Sequence, residues 1–214
     1  MPSVISVVGK AKSGKTTLLE KIISGLNSRG YSVATIKHTT HTVEIDQPGK
    51  DTSRHLNAGS KATTIVSANN VVLIKPVQDN IMPDDIIRLY GEDFDIVLVE
   101  GFKQNNYPKI EVHRKAIGPV LNNISGVIAY VTDEPLETGH IQFSLNNSTG
   151  IIDFIEDNYL RTDFDHTSIY INNELVPANK MSDLQFQSMV TAIINAIKEN
   201  ATIEKFTIFT RRKY

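Results

Sequence analysis

The chain has 214 residues, 40% apolar and 21% charged, with a formal net charge of −2; no global cationic field invites nucleic acid or an anionic membrane. It has no cysteine, which excludes disulfides, thiolate zinc sites, iron–sulfur ligation and cysteine nucleophiles, and fits a reducing compartment. Apolar runs such as Ile96-Val97-Leu98-Val99 are too short to span a bilayer, and Met1-Pro2 leads straight into the first strand without a secretory pattern, so the expected location is cytoplasmic.

Val4-Ile5-Ser6-Val7-Val8 reads as a short buried strand. Gly9-Lys10-Ala11-Lys12-Ser13-Gly14-Lys15-Thr16 follows, with Thr17 after it. It fits G-x-x-x-x-G-K-[ST] at every fixed position. Leu18, Leu19, Ile22, Ile23 and Leu26 then recur at helical spacing, and Gly30 stops the helix. Strand, glycine loop and helix together let loop amides and a helix N-terminus surround a phosphate. In that pattern Lys15 reaches the β- and γ-phosphates, and the Thr16 hydroxyl holds Mg²⁺. Gly9, Lys10, Lys12, Ser13, Gly14, Lys15, Thr16 and Thr17 are therefore the nucleotide-binding candidates.

Tyr31 to Ile36 reads as a second strand, parallel to the first after a crossover. From Thr39 to Gly59 the chain turns polar, beginning at a strand's carboxyl end, where open α/β sheets bind ligands. Asp51 can cap a short helix there. Ala62–Val66 and Val71–Ile74, with Ser67-Ala68-Asn69-Asn70 between them, read as a hairpin. Pro83 opens a helix that Gly91 ends. Asp95 to Gly101 reads as a central strand with an acid at each end. A carboxylate serving Mg²⁺ belongs at the carboxyl end, so Glu100 is the candidate and Asp95, about 16 Å away at strand rise, is not. Glu100 would bind Mg²⁺ through water or position an attacking water; the alternative is a solvated acid.

Lys109–Arg114 and Gly126–Val131 are further strands. Asp133, after the second of these, is a base-contact candidate, against the plainer role of a turn former before Pro135. Ile151, Ile152, Phe154, Ile155 and Leu160 read as a helix packing on the sheet. The expected domain runs over residues 1–161: a mostly parallel α/β sheet flanked by helices, of the P-loop NTPase type. Residues 162–214 read as a small βαβ extension. In it, Ser182 and Gln185 form a capping box for an apolar helix through Ile197.

Five blocks then point to a family: GKAKSGKTTL at 9–18, IKHTTH at 36–41, DQPGKDTSRHLNAGS at 46–60, DIVLVEGFK at 95–103 and PKIEVHR at 108–114. In this order and spacing the chain resembles the molybdopterin-guanine dinucleotide biosynthesis adaptor family, MobB, from Val4 to about residue 160. The resemblance implies a homodimer that binds GTP with Mg²⁺ and hydrolyses it slowly. It also implies a role beside MobA, which joins GMP to the molybdenum-bound pterin, and hence a link to molybdoenzyme maturation; molybdopterin would be substrate or cargo. Lys10 and Lys12 depart from a loop that is often small and uncharged there; Lys10 falls where a related class carries a lysine that acts across a dimer.

The polar stretch can be read against that background. His38 and His41 have H-x-x-H spacing but no evident third ligand. Lys50 and Arg54 would face phosphates, and Asp51 would approach Mg²⁺ through water. Lys103 and Arg114 are further anion candidates. The competing reading is a P-loop kinase acting on a small molecule, with residues 39–59 as its lid.

Overall fold

The computed structural model describes residues 2–39, 51–77, 81–90, 93–160, 166–171, 174–176, 188–192, 195 and 206–211. The core is a sheet of β1 (Ser3–Val8), β2 (Val33–Lys37), β5 (Ile96–Glu100), β6 (Lys109–Val112), β7 (Val127–Thr132) and β8 (Ile141–Ser144). Its order is β2-β5-β1-β6-β7-β8, and every pairing is parallel. Strands that lie inside such a sheet are covered on both faces and need continuous apolar runs. Ile96, Val97, Leu98 and Val99 of β5 are accordingly all fully buried.

The two faces are built from alternate residues of each strand. Ile5, Val7, Ile96, Leu98, Ile110 and Val112 form one face. Leu18, Leu19, Ile22 and Leu26 of α1 (Lys15–Ser28) and Ile151, Ile152 and Ile155 of α4 (Ser148–Ile155) cover it. Arg29 ties the end of α1 to α4 through Asp153, at 2.6 Å, and through Glu156. Ala34, Ile36, Val97 and Val99 form the other face with Ile87 of α3 (Pro83–Tyr90). Farther along that face the buried residues become polar: Ser6, Lys109, Glu111 and His113. Lys109 is satisfied there by the carbonyls of Asn105 and Tyr107.

The expected elements of the main sheet are present, with one addition. β8 pairs in parallel with β7, but Ile141-Gln142-Phe143-Ser144 is only four residues long in a polar surrounding. Its alternation is too brief to announce itself without the partner strand. The hairpin of β3 (Thr63–Val66) and β4 (Val71–Ile74) forms as expected, as a separate antiparallel pair. Its tip is closed by the Ser67 amide bonding the Asn70 carbonyl at 2.9 Å.

The extension differs from the βαβ unit expected. β9 (His166–Ile171), β10 (Glu174–Val176) and β11 (Phe206–Arg211) form a sheet ordered β10-β9-β11. Both pairings are antiparallel. Only Asn172 and Asn173 separate β9 from β10, and a two-residue connection returns a chain antiparallel. Residues 188–192 and 195 are helical; the capping box at Ser182 and Gln185 lies outside the described residues.

Candidate functional site

The phosphate-binding pattern sits where β1 leaves the sheet at its carboxyl edge. Gly9, with φ 148°, turns the chain out of the strand, and Lys12 takes φ 65°. Gly14 is the N-cap of α1 in the left-handed region, φ 100°, and no side chain caps the helix. The first intrahelical bond runs from the Leu18 amide to the Gly14 carbonyl, at 3.0 Å. The amides of the first turn therefore have no acceptor within the helix, and they carry its positive dipole end. The Ser13 hydroxyl is buried in this loop and has no hydrogen-bond partner among the described residues. Such an orphan fits a loop shaped around an oxyanion.

Lys15 curls over the loop and donates from Nζ to the Lys10 carbonyl at 2.8 Å. Burial lowers its pKa, and the nearby cations Lys103 and Lys37 add to that, while Glu100 works against it. Three lysines and one carboxylate thus share this corner, leaving it net cationic.

Register explains how Glu100 arrives. Glu100 is level with Val7 of β1 and with Lys37 of β2. Its Oε1 accepts from the Thr16 hydroxyl at 3.2 Å, and its Oε2 lies 3.8 Å from Lys37 Nζ. A hydroxyl and a carboxylate side by side are the hard oxygen donors that Mg²⁺ takes, usually with several waters. The residues present therefore fit that ion. Asp95, at the other end of β5, accepts from the Ser32 amide at 2.7 Å and hydroxyl at 2.8 Å, pinning β5 to the start of β2.

Other candidates are placed differently. Asp51 and Arg54 pair with each other across one turn of α2 (Asp51–Asn57) at 3.6 Å, both largely exposed. Among the described residues they make no hydrogen bond or ion pair to the P-loop. His41 and Lys50 lie outside the described residues. His38 packs on the Phe102 ring, centroids 4.3 Å apart. Thr17 and Lys12 are exposed on the loop and the first helical turn. Lys10 Nζ lies against Gly118 of its own chain, 3.3 Å from where a Cβ would stand. Asp133 follows β7 at the same sheet edge and accepts from the Lys115 amide at 2.8 Å.

Two residues near the loop carried no role in the sequence. Lys37 stood inside the IKHTTH block, but only the β2–β5 pairing brings it to Glu100. Glu111, level with Val8, is 1% exposed. Its Oε1 accepts from the Leu121 amide at 2.6 Å, and Oε2 has no partner among the described residues. Burial raises the Glu111 pKa; the Leu121 amide, His113, Lys10 and Lys103 pull the other way. An alternating K-I-E-V strand was the available signal: its polar positions fall on one face of a covered sheet.

A parallel sheet whose first strand runs through a glycine loop into a helix, with a hydroxyl and a strand-end carboxylate meeting beside it, defines the P-loop NTPase-like class of fold. The model of the family described as "MobB: Molybdopterin guanine dinucleotide synthesis protein B" matches residues 4–133. The chain belongs to the MobB family. It is 36% identical over 136 residues to the molybdopterin-guanine dinucleotide biosynthesis adapter protein of Haemophilus influenzae, covering 63% of this chain and 76% of that protein. It is 35% identical over 130 residues to the Escherichia coli protein of the same name, covering 58% and 74%. The crystal structure of Bacillus subtilis MobB superposes with a TM-score of 0.58 at 26% identity, over 75% of this chain and 99% of that one. A MobB homolog from Bacillus stearothermophilus gives 0.55 at 28% identity, over 73% and 97%.

Proposed function

We propose that this protein binds GTP with Mg²⁺ and acts as an adaptor in guanylation of molybdopterin, assisting MobA while hydrolysing GTP slowly. The observation that carries this reading is the meeting of Thr16 and Glu100 at 3.2 Å beside Lys15, in a chain whose relatives are named as adapters of that synthesis. Loop amides and Lys15 would bind the phosphates; Thr16 and Glu100 would hold the ion, which offsets phosphate charge when bound. The site supplies a nucleotide cradle, and a nucleotidyl-transfer centre would come from MobA. Lys103, Lys50, Arg54 and Asp133 belong to the same reading as contacts to the anionic pterin or the base, and Asp51 as a water-mediated ligand of Mg²⁺. The working location is the cytoplasm; among the described residues no helix is long and apolar enough to cross a membrane.

The test has two parts. Calorimetry with Mg²⁺ should show GTP bound and ATP bound more weakly. Adding the protein to MobA, molybdopterin and GTP should raise the yield of guanylated cofactor. Unchanged MobA output at limiting cofactor would reject the adaptor role, and rapid phosphorylation of a small metabolite without MobA would replace it with a kinase.

Glu100→Gln should keep nucleotide binding and lower hydrolysis roughly 10- to 100-fold, because it removes a carboxylate that positions water or metal. Asp95→Asn should leave turnover unchanged. Single-turnover hydrolysis with the two effects reversed would mean that the wrong strand end had been assigned.

The protein is also proposed to be a homodimer, with residues 162–214 as an appendage to a nucleotide-binding domain of residues 1–161. The β3–β4 hairpin supports the dimer. Val66 is 74% exposed and Val71 69% exposed, with Ile65 and Leu73 also open to solvent. A hairpin that leaves these apolar side chains open to water is a surface a second copy would cover. Light scattering showing a monomer for the full chain would reject this.

A further inference from the structure

β6 ends beside the P-loop on the side away from Glu100, since β5 and β6 flank β1. The chain leaves β6 through buried His113, whose amide bonds the Val131 carbonyl at 2.8 Å. Arg114 comes next, in extended conformation, as the N-cap of the 3-10 turn Lys115–Ile117. Its Nε donates to the Ser13 carbonyl at 2.9 Å. Its Nη2 lies 3.3 Å, and its Nε 3.6 Å, from the point where a Cβ on Gly14 would stand. The guanidinium is thus held over the N-cap of α1 by one bond. Its Nη1 and Nη2 groups have no hydrogen bond or ion pair among the described residues. Arg29, by contrast, has both Nη groups bonded to carboxylates, Asp153 and Glu156. An unneutralised guanidinium beside a helix's positive end is unfavourable unless an anion joins them. The orphaned Ser13 hydroxyl, in the same loop, marks the same need.

We propose that Arg114 is a nucleotide-binding residue whose Nη groups bond the phosphates shared by GTP and GDP, on the flank of the P-loop opposite Thr16 and Glu100. This rests on the reading that the P-loop holds a nucleoside phosphate. Lys15 would serve the β- and γ-phosphates on the β5 side, where Thr16 and Glu100 would hold the ion. The β6 side is left with the α- and β-phosphates, which carry no metal in such a division. The Nε bond to Ser13 fixes the guanidinium plane in advance, so little side-chain entropy is lost on binding.

The test is calorimetry of GTP and GDP, with and without Mg²⁺, on the wild type, Arg114→Gln and Arg114→Lys. Arg114→Gln should weaken both nucleotides by about 10- to 100-fold, equally for the two and independently of Mg²⁺. Arg114→Lys keeps the charge and loses the fork, so it should fall between Arg114→Gln and the wild type for both. A brace acting only on loop shape would lower Tm in both variants and leave the folded protein's affinities within twofold of wild type, which overturns the proposal. Loss confined to GTP would also overturn it, placing Arg114 at the γ-phosphate. Wild-type protein that binds neither nucleotide would remove the P-loop reading itself, an outcome distinct from wild-type binding that survives in both variants.

Discussion

Lys15→Ala should weaken binding of GTP with Mg²⁺ by about 100- to 1,000-fold and abolish the stimulation of MobA, with circular dichroism unchanged. Lys15 is half-exposed, and among the described residues its side chain makes one hydrogen bond, from Nζ to the Lys10 carbonyl. That bond is worth about 1 kcal/mol net, too little to unfold a domain of this size. Its role with a nucleotide would be far larger. A single ammonium reaching two phosphate groups in a partly desolvated corner makes charge-assisted bonds of roughly 1.5–3 kcal/mol each. Burial and the neighbouring Lys37 and Lys103 already press its pKa down, so a polyphosphate would relieve that repulsion while Lys15 stays charged. Affinity within threefold of wild type, on a variant with a native spectrum, would remove Lys15 from the phosphate site and with it the proposed nucleotide dependence of the adaptor.

Gly9→Ala should cost about 2–4 kcal/mol and lower Tm by roughly 5–15 °C, losing nucleotide binding as well. Gly9 has φ 148°, and a Cβ there would stand 2.4 Å from the Val112 carbonyl oxygen and 2.8 Å from the Ser13 hydroxyl. The first neighbour is the backbone of a buried strand, which cannot turn aside. Relief would require moving β6 or distorting the loop that orders the amides of α1. Gly30→Ala is the control. Gly30 also has positive φ, 88°, but a Cβ there would meet nothing within 4 Å. It should cost about 1 kcal/mol, the backbone penalty alone. Equal Tm losses for the two variants, read by calorimetry, would show that the contact with β6 carries none of the effect.

Much of the geometry of the candidate site was legible because its signals are local. A glycine is required where the chain turns through positive φ, and Gly14 occupies that position at the N-cap of α1. The apolar spacing from Leu18 to Leu26 marks a helix that rests on a sheet, and Leu18, Leu19, Ile22 and Leu26 carry its buried face. Glu100 could be preferred to Asp95 from strand direction alone, because opposite ends of one strand cannot serve one ligand. The antiparallel joining of β11 to β9 was not legible: strand pairing across the more than thirty residues between them depends on contacts that no local pattern encodes.

The sequence by itself determined the P-loop, the strand and helix around it and the family blocks, since each depends on backbone conformations and side-chain periods within a few residues. Only the tertiary structure decided which strands flank β1. That order brings Glu100 to Thr16 across 84 residues and Arg114 to Ser13 across 101. It also buries Glu111 beside the loop while leaving the β3–β4 hairpin open. Strand order is settled by which apolar faces can be covered together, a property of the whole chain, and so the partners of a recognisable loop are found only in the folded molecule.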